Sequence, residues 1–240
     1  MWGGEAEAPA AGVGARAAGG ARMRALVLDF GGPVLRTPFE LLRATERRLG
    51  LPPRTFDWRG PFDPGADPLW RSLAAGAVSE PEYWTARAAE FGAVTGVSGV
   101  PAMMRQVYSG PEDEIVRPEA TAAIRSARAR GVRVGVLTND LTLFHDPDWI
   151  DGVRVLSQLD ALVDAATVGV RKPEPAAYRT VLEALAVTAP DALFVDDQPV
   201  NVDGARAAGM RAVLFDPTRP AESYARALAL LDGSHDNASG

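Results

Sequence analysis

The sequence predicts an α/β fold in which a parallel sheet carries a helical cap domain inserted after its first strand. Three observations predict it. Short apolar runs that end in polar residues recur along the chain, helical patterns lie between them, and the stretch after the first run is helical throughout. Strands that alternate with helices form parallel sheets, because each helix carries the chain back across one face of the sheet.

The predicted strands share one pattern, a short apolar run followed at once by a polar residue or a turn. They are Ala25–Leu28, Val132–Leu137, Ala192–Val195 and Ala212–Phe215. Asp29, Thr138 and Asp196 directly follow the first three of them. Ligands of parallel sheets bind beyond the carboxyl ends of the strands, so we expect these polar side chains to converge.

Helical patterns connect the strands, at Glu119–Ala129, Glu174–Ala186 and Ala205–Ala208. The stretch from 37 to 114 breaks the alternation and contains two capping boxes, Thr37–Glu40 and Ser79–Glu82, each with a proline in its first turn. This predicts a helical cap over 37–114 and leaves 23–36 and 115–232 for the α/β core.

Five large side chains of the cap carry expectations of their own. We expect the aromatic rings to form the core of the cap, with the lining of a substrate cavity as the alternative, and the arginines to face solvent, with contact to the leaving group of a substrate as the alternative. The residues are Trp58, Trp70 and Trp84, and Arg54 and Arg59.

Length and composition set the class of protein. The chain has 240 residues, enough for one core domain and a modest insertion, with 47% hydrophobic and 23% charged residues. Its 25 basic and 31 acidic residues give a formal net charge of −6, which argues against a nucleic-acid partner bound through overall charge. With no cysteine and two histidines, disulfides and metal sites built on Cys or several His are not expected.

The chain ends predict little structure. Residues 1–22 are rich in Ala and Gly without periodicity and are predicted to form a disordered tail, and 233–240 form a short C-terminal tail. No apolar stretch follows a basic start, and no run approaches the length of a membrane span. We therefore expect a cytoplasmic protein with no membrane partner.

Four groups of polar residues follow one another along the chain: Asp29, Thr138, Lys172 and the pair Asp196-Asp197. In order, spacing and placement at strand ends they resemble the four motifs of the haloacid dehalogenase-like (HAD) superfamily. The resemblance runs from Arg24 to near Leu231. It implies a Rossmann-like HAD core with a helical cap of the C1 type. The capped phosphatases look nearest, including the phosphatase domain of soluble epoxide hydrolases and bacterial sugar-phosphate phosphatases.

The resemblance implies a role for each motif residue. Asp29 would be the nucleophile that forms an aspartyl-phosphate, and Lys172 would bridge this carboxylate and the phosphate. Thr138 would supply a hydroxyl, and Asn139 its backbone amide, to a phosphoryl oxygen. The substrate would be a small phosphorylated metabolite.

A divalent cation is implied as well, because an anionic carboxylate must approach an anionic phosphate. Mg²⁺ prefers oxygen ligands, and by resemblance Asp29, Asp197 and the backbone carbonyl of Gly31 would hold it. Asp196 would lie beside them as a support or an outer ligand.

The sequence departs from the family at Gly31. Most HAD phosphatases carry there a second aspartate that protonates the leaving alcohol and then activates water. General acid–base catalysis contributes about 10²- to 10⁴-fold, and a glycine cannot supply it. A phosphate with a stable leaving group is therefore expected, and a phosphomutase is disfavoured. Pro33 also replaces the usual Thr or Val of this turn.

Two alternatives stay open. In a 2-haloacid dehalogenase Asp29 would attack carbon without a metal, but those enzymes usually have Ser-Asn where this chain has Asp196-Asp197. A non-catalytic binding protein of the same fold is the other. The sequence favours the phosphatase and leaves open whether it is a monomer or a homodimer.

Three further polar residues are assigned to the surroundings of the site. Asn201 is expected to brace the helix after Asp197, and Arg171 to be a solvated neighbour. His145 is expected to be a hydrogen-bonded histidine at the surface or the rim rather than a proton carrier.

Overall fold

The computed structural model of the chain describes residues 23–233, apart from the side chain of Ala166. The predicted tail at 1–22, and residues 234–240 of the predicted C-terminal tail, lie outside the described residues. The described part forms a five-stranded parallel sheet in the order β3-β2-β1-β4-β5. The strands are β1 Ala25–Leu28, β2 Arg133–Thr138, β3 Ala161–Asp164, β4 Ala192–Asp196 and β5 Arg211–Leu214. The predicted α/β class is confirmed.

β1 lies at the centre of the sheet because its residues are apolar on both faces. Leu26 pairs in register with Val134 of β2 and with Leu193 of β4. Leu26 and Leu28 point into one hydrophobic cluster, and Ala25 and Val27 point into another on the opposite face. A run that is apolar at every position is what a strand covered on both faces requires.

The helices fall into two groups, those before β2 and those that follow it. The first group is α1 Pro38–Arg48, α2 Pro68–Ala74, α3 Glu80–Thr95, α4 Val100–Val107, α5 Glu112–Ile115 and α6 Pro118–Ala129. The second is α7 Leu141–Phe144, α8 Pro147–Gly152, α9 Ala165–Val168, α10 Pro175–Ala184, α11 Pro199–Ala207 and α12 Pro220–Leu231. None of these described helices is both long and apolar enough to cross a membrane.

The regular elements between residues 37 and 114, which we call the cap segment, are helical, as the sequence predicts. Both capping boxes are present: the backbone N–H groups of Thr37 and Ser79 donate to Glu40 and Glu82, each at 2.8 Å. Inside the segment, Arg87 is buried and its guanidinium lies 2.5 Å from the Asp67 carboxylate. The cap segment thus contains a buried ion pair of its own among apolar side chains.

β3 is the strand that the sequence analysis missed. It is four residues long, it lies at the edge of the sheet, and Leu162 on it is largely exposed. Helix α9 follows it at once, so no turn residue marks its end. A short edge strand with an exposed apolar residue has little periodicity to distinguish it from a loop.

Candidate active site

The sheet brings the predicted site residues together at the carboxyl ends of its central strands. Asp29 directly follows β1, Thr138 is the last residue of β2, and Asp196 is the last residue of β4. β1 lies between the other two, so all three side chains start from adjacent strands. The backbone N–H of Asp29 still donates to the Val195 carbonyl at 2.8 Å, which extends the ladder to this residue. Asp29 therefore stands on rigid backbone.

Lys172 reaches this point from the loop before α10. Its ammonium donates to Asp29 Oδ1 at 2.6 Å and to Asp196 Oδ2 at 2.8 Å, and all three residues are buried. Burial acts to lower the pKa of Lys172, but the charges of Asp196 and Asp29 outweigh it and raise the pKa. The side chain is therefore a cation across the physiological pH range.

The backbone of Lys172 is held by the side chain of Asn139. Asn139 Oδ1 accepts the Lys172 backbone N–H at 2.9 Å, and Asn139 Nδ2 donates to the Lys172 carbonyl at 3.2 Å. The sequence analysis considered only the backbone amide of Asn139. The missed contact joins residues 33 positions apart, and no local pattern signals it.

Asp196 is completely buried and its carboxylate is fully engaged. Besides Lys172, it accepts the backbone N–H of Gln198 at 2.8 Å and the side-chain amide of Asn201 at 3.1 and 3.2 Å. Tyr178 fixes Asn201 in turn by donating its hydroxyl to the Asn201 carbonyl at 2.7 Å. Asn201 is a structural support as expected, but what it supports is Asp196.

Three carboxylates form one cluster at the floor of the site. Asp29, Asp196 and Asp197 each offer an oxygen, and these oxygens lie within 4.8 Å of one another. Burial raises the pKa of Asp29 to about 7, against the opposing effect of Lys172, and burial together with Asp196 and Asp29 raises the pKa of Asp197. Ionised, the cluster keeps an excess of two negative charges over Lys172. Its donors are the hard oxygens that a divalent cation such as Mg²⁺ takes, so the residues fit such an ion.

The two glycines after Phe30 have different reasons to be glycine. Gly32 has a φ of +82°, and a Cβ there would lie 2.7 Å from the carboxylate carbon of Asp197, so both conformation and space require glycine. Gly31 has an ordinary φ of −73°, and a Cβ there would lie 3.8 Å from Asp29 Oδ2. The backbone would accept a side chain at 31, so steric constraints do not require glycine there. What the glycine changes is the chemistry of the site, which lacks a side chain at this position.

The turn Phe30–Val34 is tied to the surrounding helices. Arg117 donates from Nε to the Gly32 carbonyl at 2.5 Å and pairs through its other nitrogens with the Glu40 carboxylate of α1 at 2.8 and 2.5 Å. The Tyr224 hydroxyl of α12 donates to the Pro33 carbonyl at 2.8 Å. The turn is thus anchored from both the cap segment and the core, and Pro33 fits within it.

A cavity of about 770 Å³ lies over the carboxylates, and both the core and the cap segment line it. Trp70 and Trp84 line this cavity, whereas Trp58 does not and donates instead to Glu90 at 2.6 Å. The expectation that all three rings form the cap core is therefore wrong for Trp70 and Trp84. Glu80 of α3 accepts from Gln198 Nε2 at 2.9 Å, which joins the cap segment to the loop after β4.

His145 is buried rather than at the surface, and it is among the residues that line the cavity. Its ring stacks on Trp149 with centroids 4.2 Å apart and meets Phe30 edge-on. Burial, helped by the charge of Arg105, lowers its pKa to about 4. The imidazole is therefore neutral at neutral pH.

The arginines that the sequence placed outside the site stay outside it. Arg171 is exposed and pairs with Asp140, and Arg54 is exposed, as expected. Arg59 is half-buried and pairs with Asp57 at 2.5 Å, so it does not face solvent fully. None of the three is among the described residues that line the cavity.

A model of haloacid dehalogenase-like hydrolases matches residues 23–209. The chain belongs to the haloacid dehalogenase-like hydrolase family. That family membership agrees with the parallel sheet and with the order in which the motif residues meet at its edge.

Phosphatases are among the known relatives of this HAD chain, and so is a haloacetate dehalogenase of Moraxella, 34% identical over 93 residues that cover 38% of this chain and 41% of that protein. Phosphatase MT3486 of Mycobacterium tuberculosis is 37% identical over 121 residues, which cover 46% of this chain and 56% of that protein. The match thus spans only about half the length of that curated relative. A phosphoglycolate phosphatase of Pseudomonas putida is 27% identical over 234 residues, 90% of this chain and 82% of that protein. The structure of CbbY from Rhodobacter sphaeroides with phosphate shares the fold, with a TM-score of 0.51, 19% identity and coverage of 80% of this chain and 86% of that one.

Proposed function

We propose that this HAD hydrolase is a Mg²⁺-dependent phosphomonoester hydrolase that forms an aspartyl-phosphate on Asp29. The observation that carries the proposal is the buried Lys172 ammonium, which contacts Asp29 and Asp196 beneath the cavity. A carboxylate on a rigid strand end, oriented by a fixed cation and open to a cavity, is the arrangement that a nucleophile toward phosphorus needs. The phosphatase relatives support the same reaction class.

Asp29, Asp197 and the backbone carbonyl of Gly31 would hold the cation. Asp196 is the support beside them, because its oxygens are engaged by Lys172, Gln198 and Asn201. The bound cation would offset the repulsion between the carboxylates and the incoming phosphate.

The chain's own residues then account for the transfer. The Asp29 carboxylate attacks phosphorus, the bond from phosphorus to the leaving oxygen breaks, and the leaving group departs with that electron pair. Lys172, the Thr138 hydroxyl and the Asn139 backbone amide donate to the phosphoryl oxygens. Water then attacks the phosphorus of the aspartyl-phosphate, which releases phosphate and restores the carboxylate.

No side chain at 31 can protonate the leaving oxygen in this scheme. His145 lines the cavity but does not replace it, since burial lowers its pKa to about 4 and the neutral imidazole is a poor proton donor. The reaction therefore favours substrates whose leaving group is stable as an anion.

The test is phosphate release from p-nitrophenyl phosphate with Mg²⁺. We expect Asp29→Asn or EDTA to abolish release, while the matched variant Asp203→Asn, an exposed carboxylate on α11, stays active. Release that survives Asp29→Asn would remove Asp29 from the nucleophile role.

The same preparation tests the dehalogenase alternative, because 2-chloropropionate would release halide without metal. We expect none, since three carboxylates so close together would repel one another in a site without a metal. Halide release would replace the proposal. A folded protein that neither hydrolyses phosphate esters nor binds Mg²⁺ would point to the non-catalytic alternative. The location in the cytoplasm, the oligomeric state of monomer or homodimer, and a small phosphorylated metabolite as the substrate stay predictions.

A further inference from the structure

The cavity over Asp29 has little to offer a second anionic group of a substrate. Among the described residues that line it, Lys172 is the only lysine or arginine, and its ammonium already contacts two carboxylates. Apart from the proposed ligands of the cation, two further acidic residues line the same space, Glu80 and Asp140, and Arg171, which pairs with Asp140, lies outside the cavity lining. A carboxylate or second phosphate on the leaving group would therefore meet like charges without a free cation.

The wall that the cap segment contributes is aromatic. Phe39 lies edge-on to Trp70 with ring centroids 5.3 Å apart and lies 5.8 Å from Trp84. All three rings are half-buried and line the cavity, so they form one apolar surface. Leu73, Met104 and Phe144 extend it.

Glu80 fixes one edge of this surface. Its carboxyl group accepts from the Trp84 indole N–H at 3.3 Å and from Gln198 at 2.9 Å, so the same residue orients a ring of the wall and places an acidic group over the site. The result is a pocket whose cap wall favours an apolar ring on the leaving group and disfavours a second anionic group there.

We infer that the substrate is a phosphomonoester of an uncharged aromatic alcohol, whose ring packs against Phe39, Trp70 and Trp84. This inference rests on the proposed function. A second observation agrees with it: without an acid at Gly31 the leaving oxygen departs as an anion, and an aryl oxide is far more stable in that form than an alkoxide. A cavity of about 770 Å³ lies in the size range of pockets for ligands with one or two rings.

A matched pair of substrates tests the charge argument on the unmodified chain. Phenyl phosphate and 4-carboxyphenyl phosphate differ by one carboxylate, and we expect kcat/KM for the second to be lower by about tenfold or more, because the added carboxylate meets like charges. Phosphoglycolate, small and anionic, is expected to be poorer still. Glu80→Gln keeps the shape and removes a charge, so it should narrow the gap between the two aryl phosphates.

Variants of the wall test the aromatic argument. Trp70→Ala and Trp84→Ala should each raise KM for 2-naphthyl phosphate by about tenfold or more, since even one missing methylene contact in an apolar pocket changes discrimination by about 10- to 200-fold. Hydrolysis of acetyl phosphate, which has no ring, should change little and shows that the catalytic residues are intact. Phe62→Ala, an exposed ring of the cap segment outside the cavity, is the matched control.

The outcomes separate the two proposals. If 4-carboxyphenyl phosphate is cleaved as well as phenyl phosphate, the inferred requirement for an uncharged alcohol is wrong; if phosphoglycolate is, the inferred substrate class is wrong; in both cases the proposed phosphatase function stands. If the folded protein with Mg²⁺ releases phosphate from none of these compounds, acetyl phosphate included, the proposed function is wrong and the inference falls with it.

Discussion

Lys172 is the single lysine among 25 basic residues, and it occupies a place where the shape of the cation matters. Its ammonium fits between Asp29 and Asp196, with contacts of 2.6 and 2.8 Å in a fully buried setting. A planar guanidinium is wider and donates along fixed directions. The choice of lysine here follows from this geometry.

Lys172→Arg should therefore lose most phosphatase activity while the far-UV circular dichroism spectrum stays that of the wild type. The matched control is Arg171→Lys, the exposed neighbour that pairs with Asp140, and it should keep its activity. The steady-state rates of the two variants and the wild type with p-nitrophenyl phosphate test this expectation. Near-normal turnover of Lys172→Arg would contradict the role given to the ammonium.

Gly31 offers a gain-of-function test, because its backbone conformation accepts a side chain and a Cβ would meet only Asp29 Oδ2 at 3.8 Å. Gly31→Asp should raise kcat for an alkyl phosphate with a poor leaving group, toward the about 10²- to 10⁴-fold that acid–base catalysis supplies. Gly31→Asn has the same shape without the proton and should give no such gain. Equal effects of the two variants would assign the change to shape rather than proton transfer.

At the scale of single residues, the sequence predicts the polar groups that meet at the strand ends better than the side chains that hold them in place. Asp29, Thr138 and Asp196 can be found because each follows an apolar strand. The contacts of Asn139 with Lys172 and of Asn201 with Asp196 join different loops. Such pairings depend on the tertiary fold and leave no periodic trace in the sequence.

Among the elements, Arg117 at the start of α6 links three parts of the site. It donates to the Gly32 carbonyl and pairs with Glu40 of α1, and its side chain is 2% exposed. Removing one partner of a buried ion pair leaves the other charge buried and unpaired, which typically lowers the free energy of unfolding by about 3–5 kcal/mol.

We expect Arg117→Met to lower the free energy of unfolding by about 3 kcal/mol, since Glu40 keeps some access to water. It should also lower kcat, because the turn that carries Gly31 loses an anchor. Urea unfolding at equilibrium measures the first effect. Arg128→Met on the same helix is the control, with an exposed pair worth about 1 kcal/mol or less. Equal losses in the two variants would refute the anchoring role.

The elements also show where sequence patterns stop being informative. Capping boxes predicted the starts of α1 and α3, because a cap is local chemistry within four residues. Which side of α2 and α3 faces the cavity is decided by packing against the core, so Trp70 and Trp84 could not be told from Trp58. β3 was missed for a similar reason, since an edge strand of four residues has too few positions to show a period.

For the whole molecule, the carboxylate cluster couples stability to pH and to the cation. The pKa of Asp29 is raised from 3.8 to about 7 and that of Asp197 is raised too, so these two carboxyl groups bind more protons in the metal-free fold than in the unfolded chain. Their contribution to the free energy of unfolding therefore falls as pH rises from about 4 to about 7. A bound cation would reverse this loss, since it competes with those protons.

We expect Mg²⁺ to raise Tm more at about pH 8 than at about pH 5.5, because protons occupy the carboxylates at the lower pH. Thermal unfolding with and without Mg²⁺ at each pH gives the Tm shift that Mg²⁺ causes. Because both samples have the same pH, the effects of the other titrating groups on Tm cancel. Asp197→Asn should remove the shift, and Asp203→Asn should keep it. A Mg²⁺ shift of the same size at both pH values would contradict the assignment of the cation to this cluster.

The central claim is that Asp29 attacks phosphorus, and chemical trapping tests it most directly. The protein is mixed with Mg²⁺ and an aryl phosphate, quenched in acid and reduced with borohydride, which converts an acyl phosphate to an alcohol. We predict homoserine at position 29 by peptide mass spectrometry, dependent on substrate and absent in Asp29→Asn. Substrate turnover with position 29 left as unmodified aspartate under the same quench would contradict the claim.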